Sequence, residues 1–166
     1  MAANTLDIGS KNNYPAGELN NFTVCSFEID MVECASMEGF LQALKFDKTH
    51  IQVEVCKLTG INAKKRGSDR NSQWKLKRGL WWQGEFYERK GDDYQRLLDR
   101  AYISMAKSSE KFRQALLDTG DLILTHHMGK SSEWDTVLTQ SEFCNRLMKL
   151  RNLLRKGTDI NSVKKL

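Results

Sequence analysis

The sequence predicts an α+β fold: a single, mainly helical domain with short strands. Three observations carry this reading. Apolar residues recur at helical spacing in several segments that open on Ser, Thr or Asp and stop near a glycine. Strand-like alternation is confined to short runs. The 166 residues are 40% apolar and 28% charged, which is the balance of one globular domain with a substantial core.

Residues 1–19 hold Gly9, Gly17, the single proline Pro15 and several asparagines. They read as an N-terminal loop that joins the fold near Asn20, Asn21 and Phe22. Residues 23–29 alternate and predict a strand. Asp30 and Met31 turn it into a partner strand over Val32–Cys34. Ser36 is a good N-cap for a helix from Met37 to about Phe46. On that helix Met37, Phe40, Leu41 and Leu44 share an apolar face, and Glu38, Gln42 and Lys45 share another. Asp47 or Thr49 caps a second helix, which Gly60 ends.

Residues 63–79 read as a short basic helix and a turn. The aromatic stretch 80–91 reads as a loop or short hairpin. Helical spacing returns from Asp92 to Lys107. Ser108 or Ser109 then caps a helix that stops at Gly120. Leu122–Thr125 is a short strand, and 126–138 is irregular. Thr139 and Glu142 form a capping box for a helix that ends near Gly157. The basic tail 158–166 reads as loose, so the domain spans 20–157.

No apolar run approaches the roughly 18 residues of a bilayer span. Met1–Gly9 lacks the basic-then-apolar pattern of a secretion signal. Cys25, Cys34, Cys56 and Cys144 are scattered and form no CxxC pair. They read as reduced thiols, which points to the cytoplasm. No metal is expected: His126 and His127 are adjacent, but no carboxylate or cysteine follows at ligand spacing. Neither GxGxxG nor a P-loop occurs, and no cofactor is expected.

The formal charge is +5. Lys64, Lys65, Arg66, Arg70, Lys75, Lys77 and Arg78 cluster around Trp74, an arrangement suited to an anionic partner such as phosphate, pyrophosphate or nucleic acid. The most informative stretch is Ser36–Phe46. It sets a carboxylate, an amide and an amine along one helical stripe, which can line a pocket. From periodicity alone, a solvated polar face is the favoured reading.

An ordered set of motifs weighs against the solvated face. Ser36, Glu38, Gln42, Lys45 and Phe46 match an S-x-E-x-x-x-Q-x-x-K-F signature. Asn21–Phe22 lies upstream. The basic stretch Ala63–Gly67 and Trp74 follow, then Leu116–Asp121, then Leu147, Met148 and Arg151. Over residues 20–154 the chain resembles the YbiA-like (NADAR) family.

The resemblance implies the YbiA-like fold. It also implies an N-glycosidase that hydrolyses the N-glycosidic bond of guanine-linked ADP-ribosyl or phosphoribosylamine-type substrates, among them riboflavin intermediates. The partner is then an anionic ribosyl or nucleotide substrate, including ADP-ribosylated nucleic acid. The alternative is a non-catalytic binder of ADP-ribose-like nucleotides or nucleic acid.

On this resemblance Glu38 serves as acid, base or oxocarbenium stabiliser. Lys45 binds phosphate or forms a Schiff base. Gln42 orients ribose hydroxyls. Asn21, Phe22, Ser36, Lys64, Arg66, Trp74, Trp82, Trp134 and Asp135 are the expected substrate-binding set. One of the neighbours Trp81 and Trp82 should pack inward while the other stays free.

Three departures mark a divergent branch. Met105–Ala106 stands where the family has Lys-Phe. Ser131–Asp135 lacks the glycine of D-x-x-W-G. Residues 80–91 look like an insertion.

Overall fold

In a computed structural model that describes residues 4–166, the Glu38-bearing helix is the element around which the others gather. This helix, α1 (Met37–Ala43), is buried along its whole length. Ser36 caps it: the hydroxyl accepts from the Gly39 amide at 3.0 Å and donates to the Leu58 carbonyl at 3.1 Å. Helices α2 (Thr49–Cys56) and α3 (Gly60–Ser68) pack on it closely. Helix α4 (Asn71–Lys77) continues from α3. The long helices α5 (Asp92–Ser108), α6 (Glu110–Asp118) and α7 (Gln140–Arg155) form the other half of the core.

The strands form three two-stranded sheets. Strand β1 (Thr5–Asp7) runs parallel to β6 (Ile123–Thr125), with Leu6 opposite Leu124. Strands β2 (Phe27–Ile29) and β3 (Val32–Cys34) form one hairpin. Strands β4 (Gly79–Trp82) and β5 (Glu85–Glu88) form another, with Trp81 opposite Phe86. Among the described residues, seven helices and these small sheets make one mainly helical α+β unit, as the sequence predicts.

Both hairpin turns use left-handed residues without Asn-Gly. Asp30 and Met31 have φ of 49° and 67°. The Asp30 carboxylate accepts from Trp82 Nε1 at 2.8 Å and from Arg100 at 2.7 Å, which ties the first turn to β4 and α5. The second turn, at Gln83–Gly84, is held by the buried amide of Gln52. Its oxygen accepts from the Gln83 amide at 3.1 Å, and its nitrogen donates to the carbonyls of Phe46 and Trp81.

A buried arginine joins the second hairpin to α7. Arg89 grips the Glu142 carboxylate at 2.7 and 3.1 Å and donates to the Thr136 carbonyl. The same Glu142 closes the capping box with Thr139.

Several boundaries differ from the sequence reading. Residues 1–19 are not all loop: Thr5–Asp7 is a strand and Ala16–Glu18 a 3-10 turn, while residues 1–3 lie outside the described part. A three-residue strand whose partner lies far along the chain leaves no local periodicity to read. Gly60 does not end α2, which stops at Cys56; with φ +52° it opens α3 instead. The basic stretch breaks into α3 and α4 at Asp69–Arg70. The tail carries a 3-10 turn at Ile160–Ser162, and the Leu166 amide lies 3.3 Å from Asp99 Oδ2. Among the described residues no helix is long and apolar enough to cross a membrane.

The contact between α1 and α2 depends on Gly39. A Cβ there would stand 2.6 Å from the Leu58 carbonyl oxygen and 3.0 Å from that of Cys56. Backbone oxygens cannot step aside as a flexible side chain can. Gly39→Ala is therefore expected to destabilise the chain by about 1–3 kcal/mol, an overpacking cost, in urea denaturation.

Candidate functional site

Helix α1 stops at Ala43, short of the expected Phe46, so Lys45 lies in the turn after it; the polar stripe of Glu38, Gln42 and Lys45 faces inward, not toward solvent. Glu38, Gln42 and Lys45 retain only 9%, 5% and 6% of their surface. They form one wall of a cavity of about 330 Å³, within the range of small-ligand sites. Asn20, Asn21 and Phe22 form its edge beside β2. Lys64 and Ser68 come from α3, and Asn71 and Trp74 from α4. His126 and the Met128–Lys130 loop follow β6, and residues 135–138 lead into α7.

The α1 wall is tightly constrained. The Glu38 amide donates to the Asn21 carbonyl at 3.0 Å, pinning the helix to the loop before β2. Gln42 Nε2 donates to Glu38 Oε1 at 2.7 Å. The other end of that amide, Gln42 Oε1, is sealed and has no partner. It lies against Gly67 of α3, where a Cβ would stand 1.8 Å from it. The basic helix can approach α1 this closely because position 67 has no side chain. Asn21 is fixed in turn by the Tyr102 hydroxyl, which donates to Oδ1 at 2.8 Å.

Burial sets the electrostatics. It pushes the Glu38 carboxyl above the ordinary carboxylate range; the Gln42 hydrogen bond and the charges of Lys45 and Lys64 only partly oppose this. Burial pushes the Lys45 amine down to about 8. Glu38 opposes that shift, whereas Lys75, Lys64 and Lys130 reinforce it. Glu38 and Lys45 form no ion pair with each other. Each is thus desolvated without being neutralised by direct contact, a condition typical of working sites.

Of the residues singled out in the sequence, Asn21, Phe22, Glu38, Gln42, Lys45, Lys64, Trp74 and Asp135 line this cavity. Ser36 does not: its hydroxyl is occupied in capping α1, and no part of it is exposed. Trp82 is also sealed away, edge-on to Phe40 at 5.0 Å with its indole nitrogen on Asp30. Its neighbour Trp81 is only partly buried and meets Phe86. Trp134 lies outside the cavity lining, with the cations of Arg78 and Lys90 over its ring at 4.8 and 4.9 Å. Arg66 stacks on the Phe46 ring at 4.6 Å and does not reach the lining.

The sequence reading missed Asn20, Ser68, Asn71, His126 and Lys130 as lining residues. Asn20 adjoins the Asn-Phe motif and Lys64–Gly67 precedes Ser68, so proximity was the available signal for those two. His126 and Lys130 are brought in by the β1–β6 pairing, which no local pattern announces.

Trp74 is 1% exposed and donates to Asn71 Oδ1 at 3.2 Å, so it contributes the floor of the cavity. Among the described residues no group of three or more His, Cys, Asp or Glu side chains is placed to hold a metal ion. The four cysteines are free thiols.

Comparison with known proteins gives the same outline. The profile of the family described as bacteriophage protein GP30.3 matches residues 13–152. A 17.1 kDa protein from the Gp30–rIII intergenic region of Enterobacteria phage T4 is 31% identical over 151 residues, covering 90% of this chain and 98% of that one. The NMR structure of the E. coli protein YbiA superposes with a TM-score of 0.63 at 18% identity, over 95% of this chain and 89% of that one. The fold is thus that of YbiA, and the chain belongs to the bacteriophage GP30.3 family, a NADAR-type family with the YbiA-like fold.

Proposed function

We propose that the chain is an N-glycosidase acting on an anionic ribosyl substrate, either guanine-linked ADP-ribose, as on modified nucleic acid, or a phosphoribosylamine-type riboflavin intermediate. The observation that carries this reading is the pair Glu38 and Lys45: both buried, both shifted, and not paired with each other. Desolvating a carboxyl and an amine without pairing them costs several kcal/mol. Cleavage of a C1–N bond makes use of both groups.

Glu38, kept protonated more readily by burial, acts as the acid for the departing nitrogen. Gln42 occupies Oε1 and leaves Oε2 as the position of the proton. Lys45, with Lys64 and Lys130 beside it, holds the phosphate. Asp135 and Asn21 accept or donate to ribose hydroxyls, while Phe22 and Trp74 supply the apolar wall. The free thiols suit a reducing compartment, so the proposed setting is the cytoplasm.

A second reading is a non-catalytic binder of ADP-ribose-like nucleotides. It is favoured by the position of Trp134, which stacks on cations outside the cavity lining.

Incubation with ADP-ribosylated guanine DNA and with phosphoribosylamine intermediates separates the two. Release of ADP-ribose or ribose phosphate supports the enzyme; ligand-induced thermal stabilisation with no product supports the binder. Glu38→Gln should lower turnover by about 100-fold or more while leaving the melting temperature unchanged or higher.

Lys45→Met should weaken phosphate binding yet stabilise the fold, because a buried ammonium is replaced by an apolar chain. The sign follows from the lowered amine. Below about pH 8 the native and unfolded chains both carry the charge, and the burial penalty is complete. Above it the native amine loses its proton first, so wild-type stability rises with pH and the advantage of Lys45→Met shrinks. Thermal melts from pH 6 to 9.5 measure this directly. In the same range KM should rise as pH passes about 8, and borohydride should trap no adduct; a trapped adduct would assign Lys45 a nucleophilic role instead.

Gly67→Ala should displace the Gln42 amide, release Glu38 Oε1 and lower turnover. Its stability cost is about 1–3 kcal/mol, since the clash falls on a buried side chain.

A further inference from the structure

Hydrolysis with Glu38 as the acid still requires a group that takes the proton of the attacking water. The cavity contains one whose ring is held on three sides. His126 follows β6 directly. Its Nδ1 lies 2.8 Å from the Ile8 carbonyl oxygen. A carbonyl only accepts, so Nδ1 carries the hydrogen and donates. The ring stands edge-to-face with Phe143 of α7, centroids 5.2 Å apart at 79°. Its Cδ2 presses on Gly129, where a Cβ would stand 2.6 Å away.

These contacts leave the Nε2–Cε1 edge. Nε2 has no hydrogen-bond partner among the described residues, and it is not a sealed atom. His126 lines the same cavity as Glu38.

We propose that His126 is a third working side chain of this cavity, with its Nε2 lone pair directed at the ligand to accept the proton of the attacking water. The role rests on the N-glycosidase reading. As the water oxygen bonds to C1, its proton passes to Nε2. The C1–N bond breaks with its electron pair on nitrogen, and Glu38 supplies the proton that nitrogen takes. The step consumes one water and yields a sugar hydroxyl and an N–H product. It leaves imidazolium and carboxylate, and transfer of one proton from His126 to Glu38 restores both.

The backbone anchoring explains why the acceptor nitrogen is Nε2. Ile8 follows β1, and β1 lies beside β6. The short parallel pair therefore selects the imidazole tautomer.

His126→Asn tests the role. The asparagine amide can keep the donor to Ile8 while removing Nε2. Expected is a chain that melts like wild type and turns over ADP-ribosylated guanine DNA about 100-fold or more slowly. Wild-type turnover in His126→Asn overturns the base role and leaves the N-glycosidase reading standing. Absence of turnover by the wild-type chain removes that reading and the base role together.

A second measurement needs no variant to fold. In the 15N imidazole spectrum of the wild-type chain, the His126 Nε2 resonance should report an unprotonated nitrogen and shift on addition of ADP-ribose. A protonated Nε2 at neutral pH, or a resonance unmoved at saturating ADP-ribose, overturns the proposal.

Discussion

A helix buried along its whole length cannot carry two polar side chains on one stripe, with a buried lysine in the turn that follows, unless something other than apolar packing meets them. Helix α1 is such a helix, and the cavity is the resolution of its problem. Its apolar face, with Phe40 and Leu41, enters the core. Its other face directs Glu38 and Gln42, and the turn after it directs Lys45, into a space roofed by α3, α4 and the loops after β6 and before α7. Filling that space with leucine would strand a carboxyl and an amine in hydrocarbon. Opening it to bulk water would abolish the shifts that burial imposes. The observed compromise is a partly enclosed cavity, in which both groups remain desolvated.

The rest of the fold keeps that space open and fixed. Glycines at 39 and 67 let α2 and α3 approach the helix from two sides. Gln52 and Asp30 use polar side chains to hold turns that lack the usual residues. Arg89 and Glu142 clamp the second hairpin to the start of α7, so residues 135–138 reach the cavity rim from an anchored end. These interactions lie in buried or half-buried settings, where they order side chains more firmly than surface pairs do. Surface pairs such as Arg96–Asp93 contribute little by comparison.

The parts of this arrangement that are local in sequence were legible there. The caps at Ser36, Ser109 and Thr139 read correctly because capping is a short-range hydrogen bond with a fixed spacing. The stripe of α1 was legible as a stripe, but not its burial. Periodicity describes which residues share a face; which face meets the core depends on α3 arriving over it. Trp82 was misplaced for the same reason. Its alternation with Trp81 was visible, whereas the Asp30 carboxylate that captures its indole lies 52 positions away. His126 was read only against metal spacing, because the Ile8 carbonyl that orients it lies 118 positions earlier.

The charge pattern of the cavity now has a consistent meaning. Lys45, Lys64 and Lys130 approach from different elements, with Lys75 near enough to press the Lys45 amine downward. Repulsion among these cations disfavours the empty site, and an anion placed among them relieves it. A bound phosphate thus raises the proton affinity of Lys45, and by linkage the ammonium form raises the affinity for phosphate. Glu38 stands at the other side of Gln42, pushed in the opposite sense by burial. The single amide between them donates to the carboxyl and offers nothing to the amine. The stripe that the sequence reads as a carboxylate, an amide and an amine holds, once buried, two groups shifted in opposite directions. Under the proposed function, one end would release a proton and the other would hold an anion.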